Sequence, residues 1–310
     1  MRTIHRAAVI GMGALGILYG DLISRRFGAG AVTFLADSGR LARYRADPPT
    51  MNGEPCAFSF STPEACTGPL DLLIFAVKAT ALDEAVGSVR HLVGEDTIIL
   101  SLLNGISSEE IIEREIGRGI IVHCVAQGMA AGRRGRPVIC KNQGMLCVGV
   151  PAAHPERREA LAALEAFFDA CGIHYRHEDD IERRLWCKWM FNIGVNQVIA
   201  VAEGTFADIQ RPGPVRSRYI AAMQEVVELA ARLGVDVTQA DLEEYVRIGD
   251  ALDPEGMPSL RQDALAHRPT EVELFSGTLI KKARAVGLAV PVNESLYREI
   301  KAMEAGWKTP

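Results

Sequence analysis

The feature that most restricts this chain is an apolar run at residues 7–10 that passes at once into Gly11-Met-Gly-Ala-Leu-Gly16, followed by helix-compatible residues to about Phe27. A strand, a turn with glycines at this spacing and a helix together make a site where backbone N–H groups at a helix start meet a phosphate. In that reading Gly11 allows the tight turn, Gly13 lets the backbone close on a pyrophosphate and Gly16 lets the helix pack, with Met12, Ala14 and Leu15 between them. A glycine-rich turn without a ligand has the same spelling, so the surrounding pattern decides. Residues 31–36, 70–77, 97–103 and 120–125 are further short apolar runs, separated by segments long enough for crossover connections. Continuous apolar runs suit strands covered on both faces, which predicts an α/β fold with a doubly wound parallel sheet.

Residues 137–140 and 145–150 flank Lys141-Asn-Gln-Gly144 and read as a hairpin appended to that sheet. A helix over 155–171 stops at Gly172. Beyond Asp179 the pattern is helical throughout, over about 180–202, 214–233, 238–249, 259–266, 270–286 and 293–305. At roughly 150 residues per domain, 310 residues make about two. We expect a sheet domain over 1–178 and an all-α domain over 179–310.

Charge narrows the partners. Lys+Arg 34 against Asp+Glu 39 gives a net charge of −5, so no global positive field gathers nucleic acid. Arg2, His5 and Arg6 before an apolar stretch have the look of a signal peptide, but Gly11, Gly13, Gly16 and Gly20 punctuate that stretch. Nothing elsewhere approaches 18 consecutive apolar residues, so no targeting or membrane segment is expected. The seven cysteines are dispersed, without a Cys-x-x-Cys pair or zinc spacing, which fits reduced thiols, a cytoplasmic location and no metal.

Polar side chains then stand out at the expected strand ends. Asp37 lies about 20 residues beyond Gly16, where the adenosine ribose is read. An acid there bonds a 2′-hydroxyl and favours NADH, whereas Ser38, Arg40 and Arg43 suit the 2′-phosphate of NADPH; capping of the next helix by Asp37 is the alternative without a ligand. Lys78 and Asn104 follow successive strands, at the edge where open α/β sheets bind ligands, although a solvated lysine and an Asn-Gly turn fit those places too.

In the helical half, Lys188, Asn192 and Asn196 fall within about 80° on one face of a helix. Lys188 is the sole charged residue between Arg184 and Glu203, and a partly desolvated ammonium is a proton donor near neutral pH. A snorkelling lysine beside loop-capping amides is the alternative. Ser259 with Gln262 and Thr270 with Glu273 match capping boxes, yet a serine at a helix start also suits a small carboxylate, and Glu271 suits a lysine or ribose partner. Arg133-Arg-Gly-Arg136 reads as a solvated loop and His123 as the polar end of its strand.

With Gly-Met-Gly-Ala-Leu-Gly at 11–16, Val77-Lys78, Asn104-Gly105, Lys188-x-x-x-Asn192-x-x-x-Asn196, Ser259-x-x-Gln-Asp263, Arg268-x-Thr-Glu271 and Gly287-x-x-x-Pro-x-Asn293, the chain resembles the ketopantoate (2-dehydropantoate) reductases over nearly its whole length. The resemblance implies a Rossmann domain and a helical domain that enclose NADPH and a 2-oxo acid, on the route to pantothenate and coenzyme A. By the same resemblance Lys188 is the proton donor, and Asn192, Asn196 and Ser259 bind substrate. Lys78, Asn104 and Glu271 line the cofactor and substrate cleft, with Glu271 expected beside Lys188 in catalysis. Typical members carry an arginine where Asp37 stands, which leaves NADH beside NADPH. A reductase of another 2-oxo acid or imine, a nicotinamide-redox sensor, and a monomer or homodimer all remain compatible with the sequence.

Overall fold

Strand β1 (Ala7–Ile10) is buried at all four positions, and its residues divide between two cores. Ala7 and Val9 join one apolar cluster; Ala8 and Ile10 join another. The same alternation holds in β6 (Leu72–Phe75) and β7 (Ile98–Ser101), so the sheet is covered on both faces, as its continuous apolar runs predict. This computed structural model describes residues 2–133, Arg133 by its backbone only, and 137–307.

Two compact units emerge: residues 1–104 with 108–181, and residues 105–107 with 182–310. In the first, α1 (Ala14–Phe27), β2 (Val32–Leu35) and α2 (Ser38–Ala46) follow β1. Short strands β3 (Thr50–Met51), β4 (Glu54–Pro55) and β5 (Ser59–Ser61) precede β6, and α3 (Leu82–Val89) leads to β7. Then come α4 (Ser108–Ile116), β8 (Ile120–Gln127), β9 (Ala130–Arg133), β10 (Val138–Asn142), β11 (Met145–Gly149), α5 (Arg158–Cys171) and β12 (Tyr175–His177).

The main sheet runs β12-β11-β8-β7-β6-β1-β2-β5. Strands β5 through β8 in that order are parallel, and β11 joins antiparallel to β8. Residues of α1 and α5 share one core, and those of α3 and α4 the other, so the sheet is doubly wound. The helix at 158–171 stops at Gly172 in the left-handed conformation, φ 67°.

Three expectations fail in this unit. Strands β10 and β11 do not form a hairpin: β10 pairs with β9 and β3 in a separate four-stranded sheet, while β11 pairs with β8 and β12. The Asn142–Gly144 turn therefore passes the chain between sheets. Arg133 belongs to β9 rather than a loop, and residues 134–136 of that expected loop lie outside the described residues. His123 sits inside β8, not at its end.

The second unit is helical: α6 (Ile181–Val201), whose first residue belongs to the sheet unit, α7 (Ala207–Gln210), α8 (Pro214–Leu233), α9 (Gln239–Asp250), α10 (Ser259–Leu265), α11 (Thr278–Ala285) and α12 (Pro291–Gly306). Helix α6 buries Trp189, Met190, Ile193, Val198 and Ile199, the pattern of a helix surrounded on all sides. The expected helix over 270–286 is interrupted, since residues Glu273–Gly277 form a π turn before α11. Among the described residues no helix is long and apolar enough to cross a membrane.

Candidate active site

In the sheet unit the glycine turn separates into two structural roles. A Cβ on Gly11, at φ +106°, would lie 2.5 Å from the backbone of Ala76, and one on Gly16 would lie 2.1 Å from the Gly11 carbonyl oxygen. Both glycines are demanded by the fold itself. Gly13 is different: its nearest neighbour would be the Ala76 oxygen at 3.6 Å, so the protein leaves that side open. Gly13 is also the N-cap of α1, makes no side-chain cap, and no acid occupies the first turn. Free N–H groups, positive dipole and open approach coincide there, so these residues fit a dinucleotide pyrophosphate. Met12 is buried and Ala14 and Leu15 are half-buried around the turn.

Asp37 is the N-cap of α2, and its two carboxylate oxygens are both engaged by Arg40. Oδ1 accepts the Arg40 backbone N–H at 2.8 Å, and Oδ2 faces Arg40 Nε at 3.2 Å. The Arg40 N–H is the main cause of a carboxyl held below its usual range. Lys78 is exposed at the N-cap of the short turn after β6, and Asn104 is half-buried after β7. The two strands are neighbours, with Phe75 opposite Ser101, so both residues leave the same carboxyl edge.

In the helical unit three of the predicted residues come together. Asn196 Oδ1 accepts from Ser259 Oγ at 3.1 Å and from the Leu260 N–H at 3.2 Å, and Asn196 Nδ2 donates to Asn192 Oδ1 at 3.4 Å. Asn192 and Asn196 are buried, while Lys188, one turn earlier on the same face, is half-buried. Neither expected capping box forms. Ser259 lies inside α10 with its hydroxyl on Asn196, and Gln262 donates to the Met257 carbonyl. Thr270 donates through N–H and hydroxyl to Glu304, and Glu273 accepts from Tyr297 and Lys301. Glu271 is half-buried, just ahead of the π turn.

Sequence reasoning missed what holds this cluster. Trp189 Nε1 donates to the Leu274 carbonyl at 2.7 Å, a group within the π turn. Gln197 Oε1 accepts from Ser276 Oγ at 2.6 Å, and its Nε2 meets Asn293 Oδ1 at 3.3 Å. Asn293 Nδ2 in turn donates to Glu225 at 2.8 Å. Gln197 had one sequence signal, a second amide beside Asn196 in an apolar stretch. These bonds pin α6, and with it the Lys188 face, to the segment that carries Glu271.

A glycine-turn parallel sheet joined to a helical unit with a lysine, amide and serine cluster defines the class of two-domain dinucleotide-dependent oxidoreductases. Residues 7–149 match the family model "Ketopantoate reductase PanE/ApbA" and residues 180–304 its C-terminal model. A 2-dehydropantoate 2-reductase of Archaeoglobus fulgidus is 25% identical over 306 residues, 98% of this chain and 99% of the relative. In fold, the chain is similar to D-mandelate dehydrogenase with NADH and anilino(oxo)acetate, with TM-score 0.85 and 21% identity over 98% of this chain and 100% of that one. A dimeric ketopantoate reductase from Staphylococcus aureus matches with TM-score 0.78 and 21% identity over 97% and 99% of the chains. The chain belongs to the ketopantoate reductase family and is an oxidoreductase of that kind.

Proposed function

We propose that this enzyme reduces the C2 ketone of ketopantoate to the alcohol, with NADPH as hydride source and Lys188 as proton donor. The observation that carries the reading is the polar cluster on the largely apolar stretch 185–201 of α6, where Asn192, Asn196 and Ser259 are bonded to one another beside Lys188. Burying amides in such a helix costs free energy unless they serve a ligand or a fold contact, and Ser259 at the start of α10 is placed for a carboxylate. When bound, the reduced nicotinamide supplies a hydride to the carbonyl carbon. Lys188 Nζ gives its proton to the oxygen that gains charge, a step worth on the order of 10²–10⁴ in rate. Asn192 and Asn196 orient the substrate's hydroxyl and carbonyl oxygens. Gly11, Gly13 and Gly16 with Met12, Ala14 and Leu15 hold the pyrophosphate, and Lys78, Asn104 and Glu271 line the nucleotide and substrate positions. The sheet domain is then the nucleotide carrier and the helical domain the substrate carrier.

The Asp37 pairing supports NADPH over NADH. Both Asp37 oxygens turn onto Arg40, and Arg40 and Arg43 bring positive charge to that end of β2. A second reading follows from the fold likeness to D-mandelate dehydrogenase, whose ternary structure holds anilino(oxo)acetate, an aryl-bearing oxo acid. Steady-state oxidation of NADPH and NADH with ketopantoate and with an aryl 2-oxo acid separates the two. Turnover of ketopantoate supports the first reading, and turnover confined to the aryl acid replaces it. Nucleotide binding without turnover of either acid would move the reading to a reductase of another 2-oxo acid or imine, or to a nicotinamide-redox sensor.

A further inference from the structure

At the carboxyl edge of the parallel sheet lies a buried carboxyl group that the proposed reaction does not use. Ser101, the last residue of β7, accepts the Leu103 N–H on its hydroxyl at 3.3 Å and donates to Ser108 Oγ at 2.8 Å. Ser108, the first residue of α4, donates onward to Glu109 Oε2 at 2.7 Å. All three side chains are buried, with Ser101 and Ser108 at 1% exposure and Glu109 at 4%. The protons run one way along this chain and end on the carboxylate. Its two serines close the segment 102–107, the loop on which Asn104 stands.

We propose that Glu109 is a positioning residue for the Asn104 loop, closing it through Ser108 and Ser101 when ionised and loosening it when protonated. The proposal rests on the reading that Asn104 lines the nucleotide and substrate position. A charged acceptor draws a hydrogen bond roughly twice as strong as a neutral one, so the Ser108 bond weakens once the carboxylate takes a proton. Burial drives the Glu109 carboxyl up to about 7, against the Ser108 hydroxyl and the Glu109 and Cys124 backbone groups that favour the ionised form. The change therefore falls near neutral pH. Other titratable groups around it behave differently. Glu110 on α4 raises the Glu109 value, Cys124 on β8 meets it through the backbone rather than the thiol, and Asp83 and Glu84 on α3 are exposed. His123 on β8 is set among Arg157, Glu113 and His154, and burial holds it down at about 4.

Amide hydrogen exchange on the nucleotide-free chain tests this, read as protection factors for Leu103 and the loop amides relative to Ile74 and Phe75 in β6. Wild type is expected to show a ratio about tenfold higher at pH 8.5 than at pH 5.5, with a midpoint near 7. Ser108→Ala should lower the ratio at both pH values, and Glu109→Gln should make it independent of pH. A flat ratio in wild type, or a wild-type pH step in folded Ser108→Ala, overturns the proposal. The wild-type titration needs no variant, so a misfolded substitution does not shield the idea. Because exchange is read without turnover, a chain with the pH step and no ketopantoate reduction keeps Glu109 in this role and removes the reaction instead.

Discussion

Replacing Gly13 by alanine should separate binding from folding. At φ −76° and ψ −176° this residue is extended backbone that any side chain adopts, and the added methyl meets only the Ala76 oxygen, at 3.6 Å. Alanine is a poorer N-cap than glycine by about 0.5–1 kcal/mol. Lower unfolded-chain entropy returns about 0.4–1 kcal/mol, so stability should change by less than about 1 kcal/mol. On the proposed placement, the methyl stands where a pyrophosphate approaches the N–H groups at the start of α1. Losing one or two charge-assisted bonds costs about 2–4 kcal/mol, a fall in NADPH affinity of about 30- to 1,000-fold. Gly16→Ala makes the contrast: its Cβ would lie 2.1 Å from a backbone oxygen, which should cost about 3 kcal/mol or more of stability. Urea unfolding of the nucleotide-free proteins and fluorescence titration with NADPH read the two quantities. Unchanged NADPH affinity in a folded Gly13→Ala would refute the placement of the pyrophosphate at this turn.

Other outcomes follow from the same geometry. Lys188→Ala should lower kcat with ketopantoate by about 10²–10⁴ while nucleotide affinity holds; a loss below tenfold would deny it the proton-donor role. Arg40→Ala should weaken NADPH about tenfold and release Asp37, shifting the NADPH:NADH ratio of kcat/KM toward NADH; an unchanged ratio places the 2′-phosphate elsewhere. His123 Nδ1 is buried without a partner and burial lowers its ionisation to about 4, against 6.5 when exposed. Protons then favour the unfolded chain between those values: the stability is complete above pH 6.5 and is lost as pH falls toward 4, by up to about 3 kcal/mol. His123→Gln should flatten that slope in urea unfolding followed across pH 4–7.

Much of the architecture can be read without coordinates because local pattern and burial agree. Strands covered on both faces are mostly apolar, so β1 and β6 appear as unbroken runs and β7 and β8 as nearly so, and Gly11 and Gly16 appear because backbone passes too close for any side chain. The α6 face is legible for a similar reason, since one lysine and two amides contrast with an apolar helix. Elements of two or three residues, such as β3, β4, β5 and β12, have no period to detect and exist only through pairing with distant strands. Long-range pairing likewise sends β10 and β11 to different sheets despite the turn between them.

Side-chain partners were the other matter left to the tertiary structure. Ser259 and Thr270 each satisfy a local capping rule on paper, yet Asn196 and Glu304 offer better-placed acceptors from other helices, and the local boxes lose. Asp37 goes the other way, because Arg40 lies within its own helix and engages both carboxylate oxygens. Glu109 reads as one of many surface acids on an amphipathic helix until β7 and β8 close over it. Which residue types this chain carries, and at what spacing, determined a doubly wound sheet, a glycine turn between its first strand and helix, and a helical second unit. Which polar atoms face one another was decided only by packing, because a hydrogen bond depends on distances that sequence separation does not encode.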